Sequence, residues 1–251
     1  LYLPYLLFIN SFLQRRNQKK LSMNEHRSYG ILSLPVLVAA LGYFVDIYDL
    51  LLFSIIRIPS LRSLGLNDAE IASKGLLIIN IQMIGLLVGG ILWGVLGDKK
   101  GRLKVLYASI ILYSLGNIAN GFVHTVGQYA TIRFITGIGL AGELGAGITL
   151  VAELLPKNKR GIGTSLVAGI GLTGAVVAFF MKQTFDWRTC YFIGGGLGFL
   201  SLFLRVGVLE SGMFKTIEHA NVSKGNFFML FSNGKRLKKY LLAILVGLPN
   251  W

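Results

Sequence analysis

Apolar residues run through this chain in long blocks, at 31–58, 71–96, 103–123, 129–155, 161–181 and 190–208, separated by short polar or basic stretches. Each block is near or above the roughly 20 residues that a helix needs to cross hydrocarbon. The pattern therefore predicts an all-α membrane protein built as a six-transmembrane-helix bundle over residues 31–208. Residues 209–239 turn polar and basic (FKTIEHANVSKGN, then SNGKRLKK) and read as a cytoplasmic linker, after which an apolar segment at 240–251 reads as the start of a seventh helix. Residues 1–30 read as an N-terminal extension. LYLPYLLFIN precedes the basic SFLQRRNQKK and has neither an initiator Met nor a small-residue cleavage site, so it makes a poor signal peptide, and Met23 is the expected start.

Composition agrees with this pattern. Of the residues, 53% are hydrophobic and 14% charged, against about 25% charged in soluble domains, and the mean hydropathy is +0.64. Most of the 32 glycines fall inside the apolar blocks, as in GLLVGG from Gly85, GIGLAGELGAG from Gly137, GIGLTG from Gly169 and GGGLG from Gly194. Small residues at such spacings let membrane helices approach closely.

The net charge of +14 could point to nucleic acid, but its distribution points to topology instead. Five Lys and Arg precede helix 1, four lie between helices 2 and 3, three between helices 4 and 5, and seven after helix 6, so 19 of 25 share one side. This is the positive-inside pattern, and it places the N-terminus and the even-numbered connections in the cytoplasm of a multi-pass protein of the cell (inner) membrane. No nucleic-acid partner is needed. Cys190 alone makes no internal disulfide, and His26, His124 and His219 have no metal-ligand spacing. No G-x-S-x-G occurs and no catalytic constellation is evident, so neither enzyme chemistry nor a cofactor or metal is expected.

Within helix 1, GYFVDIYDLLLFSI carries Asp46 and Asp49 in an otherwise apolar run. An acidic residue at a bilayer centre costs about 2.5 to 3.5 kcal/mol on insertion scales, so two at i and i+3 should face the bundle interior or a water-filled cavity. At about 1.5 Å per residue, Asp49 lies roughly 12 Å below the outer end of helix 1 and Arg133 roughly 9 Å below that of helix 4. Asp46 is one turn nearer the cytoplasm, and Glu143 is deeper still on helix 4. A carboxylate beside Arg stays ionised, whereas burial and a second carboxylate favour the protonated form, a balance that suits a proton carrier and equally describes a static ion pair. Glu143 is a candidate substrate ligand. Tyr43, Asn80 and Gln82 are candidate cavity groups or interhelical hydrogen-bonding residues.

The connection between helices 2 and 3, GVLGDKKGRLK, contains Gly94, Asp98, Lys99, Gly101, Arg102 and Lys104. This G-x-x-x-D-(R/K)-x-G-R-x-(R/K) pattern closely resembles the signature of the major facilitator superfamily. The block RFITGIGLAGELGAGITLVAELLPKNKRG resembles that superfamily's fourth helix and following loop, with Arg133 near one end and Glu153, Pro156, Arg160 and Gly161 in an E-x-x-P-x-x-x-R-G pattern at the other. LESGMF, with Glu210, is similar to the acidic motif after helix 6 in sugar and metabolite:proton symporters. The resemblance covers 42–251 and implies the N-terminal half of a two-bundle transporter, whose C-terminal six-helix half lies outside this chain. It also implies a cytoplasmic charge network of Asp98, Arg102, Glu153, Arg160 and Glu210 that latches one conformation.

VDIYDLLLF resembles helix 1 of phosphate and metabolite:proton symporters, and AGELGAG the fourth helix of metabolite:proton symporters. Ala168 stands about where hexose porters carry a helix-5 glutamine, and GIGLTGA lacks the proline of antiporters. The resemblance thus implies alternating-access symport of protons with a small polar metabolite, an organic acid or zwitterion before a sugar or phosphate, with Asp49 carrying the proton, Asp46 tuning it and Arg133 as partner. A membrane receptor of the same fold remains the other reading.

Topology is open to direct test. Cysteines introduced at Ser223 and Gln183 should be cytoplasmic and external, respectively, so an impermeant thiol reagent added outside should mark position 183 and spare 223. The reverse labelling would invert the orientation.

Overall fold

The computed structural model describes residues 30–100, 102–144, 151, 155–156 and 158–209, and in the C-terminal segment residues 233, 234, 237, 238, 241, 242 and 245. Six helices occupy this span: α1 (Leu34–Ser63), α2 (Asp68–Lys100), α3 (Arg102–Asn120), α4 (Val126–Leu144), α5 (Arg160–Thr184) and α6 (Trp187–Leu209). They match the six expected segments, with α1 running five residues further than its apolar block and the described part of α4 ending earlier. The N-terminal extension up to residue 29 and linker residues 210–232 lie outside the described residues. Of the expected seventh helix only Leu241, Leu242 and Leu245 are described, all helical and exposed.

Among the described residues, four helices are long and apolar enough to cross a membrane on their own: Leu34–Ser63, Asp68–Gly97, Arg160–Thr184 and Trp187–Val206. The other two, α3 and α4, are 19 residues each. They are less apolar because they carry the bundle's inward polar groups, Ser109, Ser114, Asn117 and Asn120 on α3 and Arg133, Thr136 and Glu143 on α4, all buried. The outward surface is apolar, with Leu87, Leu172, Phe180 and Phe203 each more than half exposed. Such a belt needs lipid around it.

Three short turns close the same end of the bundle, and each starts the following helix with a side-chain cap. Gly65 turns the chain at φ +85 after α1, a conformation that an L side chain rarely adopts. Asn67 and Glu70 then form a reciprocal capping box, with Glu70 N donating to Asn67 Oδ1 at 2.9 Å and Asn67 N to Glu70 Oε2 at 3.0 Å. Thr125 Oγ1 accepts from Gln128 N at the start of α4, and Asp186 Oδ2 from Arg188 N at the start of α6.

Helix α2 packs most extensively on α4, and α1 on α5; α3 meets both α4 and α6, and α6 also meets α1. Exchanging α1 with α4, α2 with α5 and α3 with α6 maps these pairings onto themselves. Because α1 and α4 run in opposite directions, the bundle is an inverted repeat of two three-helix units. Glycine makes its two main crossings close. A Cβ on Gly137 would strike the Gln82 carbonyl of α2, and one on Gly174 would strike the Phe44 carbonyl of α1 and stand 3.0 Å from Tyr48 N. Trp93 Nε1 adds a 2.6 Å bond to the Ile138 carbonyl across the α2–α4 seam. Helix α1 is central: it contributes to all three apolar clusters, through Tyr48 and Leu52, through Val36 and Ala39, and through Val45.

Gly137→Ala and Gly174→Ala should each lower stability in detergent by about 1 to 3 kcal/mol, because backbone cannot move aside as a side chain can. Gly90→Ala, where a Cβ meets nothing within 4 Å, should be neutral. Thermal unfolding followed by ligand-free fluorescence compares the three, and equal behaviour would contradict the close crossings.

Candidate functional site

Helices α1 and α4 cross the middle of the bundle, and their polar side chains meet there with groups from α3 and α6. Asp46, Asp49, Arg133 and Glu143 are all at most 1% exposed, although no second six-helix half is present to cover them. The i, i+3 spacing on α1 keeps Asp46 and Asp49 on one face, and that face is turned into this bundle.

Arg133 and Asp49 do meet, as their similar depth predicted. Arg133 Nη2 donates to the main-chain carbonyl of Asp49 at 3.3 Å, and the two side chains interact electrostatically, with the Asn117 amide of α3 a further partner of the Asp49 carboxylate. The bond to backbone rather than to carboxylate is the part the sequence did not show, and the Asp49 carboxylate oxygens and the Asn117 amide, though close, are not in hydrogen-bond alignment. Aromatic groups surround the guanidinium, which lies 5.7 Å from the ring centres of both Phe53 and Tyr191. Those rings are themselves fixed: the Tyr129 and Tyr191 hydroxyls bond at 2.7 Å, Tyr129 donates to Ser60 Oγ at 3.3 Å, and Tyr48 donates to the Cys190 carbonyl at 2.9 Å. Close approach of α6 to this region depends on Gly194, where a Cβ would stand 2.6 Å from Asp49 Oδ1.

One turn along α1, Glu143 of α4 forms a buried ion pair with Arg205 of α6, Nη2 to Oε1 at 2.6 Å. Asp46 interacts with both partners, and Tyr113 of α3 faces Glu143. The pair occupies the space left by a missing side chain on α1: a Cβ on Gly42 would overlap the Arg205 guanidinium and stand 2.8 Å from Glu143 Oε1. Arg205 is the functional residue that the loop count misplaced. Grouped with the basic residues after helix 6, it instead lies inside α6 and is 3% exposed. The charge bias survives its removal, with 18 basic residues still on that side. Two signals were available for it: its position inside an apolar block, and the need of a membrane-embedded Glu143 for a cation. Tyr113 and Asn117, one turn apart on α3, were missed for a similar reason, since a lone polar residue in an apolar run does not name its partner.

The other candidates are dispersed. Tyr43 is half-buried over Gly171 of α5, and Gln82 is buried beside the α2–α4 crossing, whereas Asn80 is exposed on α2 and apart from the cluster. Gly94, Lys99 and Lys104 are exposed at the α2 and α3 ends. Gly101, Glu153, Glu210 and the side chains of Asp98 and Arg102 lie outside the described residues. Arg160 Nε donates to the Leu155 carbonyl at 3.0 Å.

The geometry thus holds a cluster of buried acids and guanidinium groups between helices that cross closely, an arrangement able to hold or exchange protons away from water; among the described residues it has no nucleophile poised beside a base. Comparison with known proteins identifies the family. The chain is 32% identical over 162 residues to the niacin transporter NiaP of Acinetobacter baylyi, covering 63% of this chain and 36% of that protein. It is 30% identical over 198 residues to the sialic acid transporter NanX of Escherichia coli, covering 77% and 47%. Among solved structures it superposes on the inward-open xylose transporter XylE of E. coli with a TM-score of 0.62 at 20% identity, over 84% of this chain and 52% of that one. The chain spans about half the length of the curated relatives it matches or less. The sequence model described as Major Facilitator Superfamily matches residues 39–249, and this chain, with its six inverted-repeat helices around a buried charge cluster, belongs to that superfamily.

Proposed function

We propose that the transporter containing this half is a proton symporter that imports a small organic acid or zwitterion by alternating access. The observation that carries the reading is the ionisable cluster sealed in the middle of the bundle, with Asp46, Asp49 and Arg133 as its coupling group. Groups so expensive to place in a membrane are kept for function by default. Niacin and sialic acid, named for two relatives, both carry a carboxylate, which supports an acid over a neutral sugar. The likeness to a xylose transporter concerns the fold alone.

In this reading substrate binds near the midplane between this bundle and a second one. Tyr43 and Asn80, which this half leaves at least partly uncovered, are its direct contacts. Gln82 and Glu143 are buried and act from behind them. At the cytoplasmic helix ends, Asp98, Arg102, Glu153, Arg160 and Glu210, with the glycines Gly94 and Gly101 and the cations Lys99 and Lys104, form the latch that holds one conformation and releases in the other.

The test is uptake by the complete transporter reconstituted in vesicles. Nicotinate is the first probe, followed by benzoate, a sialic acid and xylose. An outside-acid gradient should drive an organic acid above equilibrium, a protonophore should abolish that accumulation, and xylose should not compete. Uptake indifferent to the gradient would make the protein a uniporter or exchanger, and binding without flux would make it a receptor.

A further inference from the structure

The polar core contains three carboxyl groups, Asp46, Asp49 and Glu143, and two guanidinium groups, Arg133 and Arg205, none more than 3% exposed. Arg133 is engaged with Asp49, through its carbonyl and electrostatically through its carboxylate. Among the described residues Arg205 is the one cation that interacts with Asp46 and Glu143. Glu143 and Arg205 are in contact at 2.6 Å, and Asp46 interacts with both. The remaining groups that face the pair are Asp49 and Tyr43 from α1 and Tyr113 from α3. Among the described residues α2 and α5 contribute no charge to it.

Two carboxylates and one guanidinium leave this subsite with a net negative charge in a place sealed from water, where an uncompensated charge is strongly disfavoured. The hydrogen bonding is deficient in the same sense, here as at the Asp49 carboxylate. Asp46 Oδ1 and Glu143 Oε2 have no well-aligned protein donor, and Glu143 Oε1 has only the 2.6 Å contact with Arg205. The two carboxyl groups lie within interaction range of each other, yet two carboxylates are both acceptors and cannot bond. A single proton removes the excess charge and supplies the missing donor. Gly42 shows that the arrangement is built in, since any side chain there would displace the guanidinium that sets the count.

We propose that Asp46 and Glu143 share one proton, and that Arg205 is the positioning residue that limits the pair to one by offsetting the second carboxylate. The assignment moves the transported proton one turn along α1 from Asp49, which Arg133 already matches. Its role in transport rests on the symport reading above. Loading turns one carboxylate into a carboxylic acid that donates to the other, and unloading returns the proton to water when α1, α4 and α6 shift enough to wet the pair. Because the two acids titrate together, the proton belongs to the pair and not to either residue.

Infrared difference spectroscopy on the complete reconstituted transporter reads a buried protonated carboxyl directly through its deuterium-sensitive carbonyl stretch, and parallel vesicles report gradient-driven accumulation and equal-pH substrate exchange. The wild type should show the band at neutral pH. Asp46→Asn and Glu143→Gln, each leaving one carboxylate to one guanidinium, should both lose it and lose gradient-driven accumulation. Adding Arg205→Gln to Glu143→Gln leaves Asp46 without a cation and should restore the band, which a purely structural role would not do. Absence of the band in the wild type, its persistence in either single variant, or failure of the double variant to restore it overturns the proposal. A wild type that shows the band and loses it in both single variants, but takes up substrate regardless of the gradient, supports the shared proton and removes the symport reading instead.

Discussion

A charge inside a bilayer has to be answered within the protein, and the buried contact between Glu143 and Arg205 is where this bundle meets that constraint most directly. The ion pair joins α4 to α6, and its space is provided by Gly42 on α1. Removing one partner of such a pair would typically cost about 3 to 5 kcal/mol, because the other is left charged and alone. Much of the local architecture follows from keeping both ends enclosed. Helices α3 and α4 carry their polar residues inward and are less apolar for it, while α2 and α5 are the most exposed of the long apolar helices.

Enclosure in turn depends on how closely the helices approach. Lipid tails are as apolar as the side chains, so hydrophobicity alone does not press membrane helices together; packing and hydrogen bonds must. The glycines at the α2–α4 and α1–α5 crossings remove the side chains that would hold the backbones apart, and the Trp93 bond to the Ile138 carbonyl adds a polar tie. The two crossings are equivalent under exchange of the three-helix units. Each crossing therefore brings one of the charge-bearing helices, α4 or α1, against an outer helix, leaving their opposite faces to meet in the middle.

This arrangement separates two tasks. The ionisable groups are sealed within one half, behind α1, where aromatic rings fix Arg133 and a glycine makes room for Arg205. A ligand arriving between two halves would meet the surface in front of them. In the proposed symport, protonation changes in the sealed cluster would reach the ligand face through the position of α1, which contributes to all three apolar clusters.

The sequence by itself determined the number and approximate limits of the helices, because twenty-residue apolar blocks have few other fates, and it determined the family through the loop motif at Gly94 to Lys104 and the Arg133 block. It also showed that Asp49 and Arg133 share a depth, since both positions follow from counting residues along helices. What counting could not supply was direction around the helix axis and the identity of partners. Asp46 and Asp49 face into this bundle, Glu143 meets Arg205, and Asn80 stands apart from all of them. Arg205 read as a loop cation because charge and proximity to a helix end look the same in sequence whether the side chain reaches water or a buried carboxylate. Only the packing of α6 against α1 and α4 distinguishes the two, because a pairing between residues 62 positions apart is decided by which helix faces are brought together.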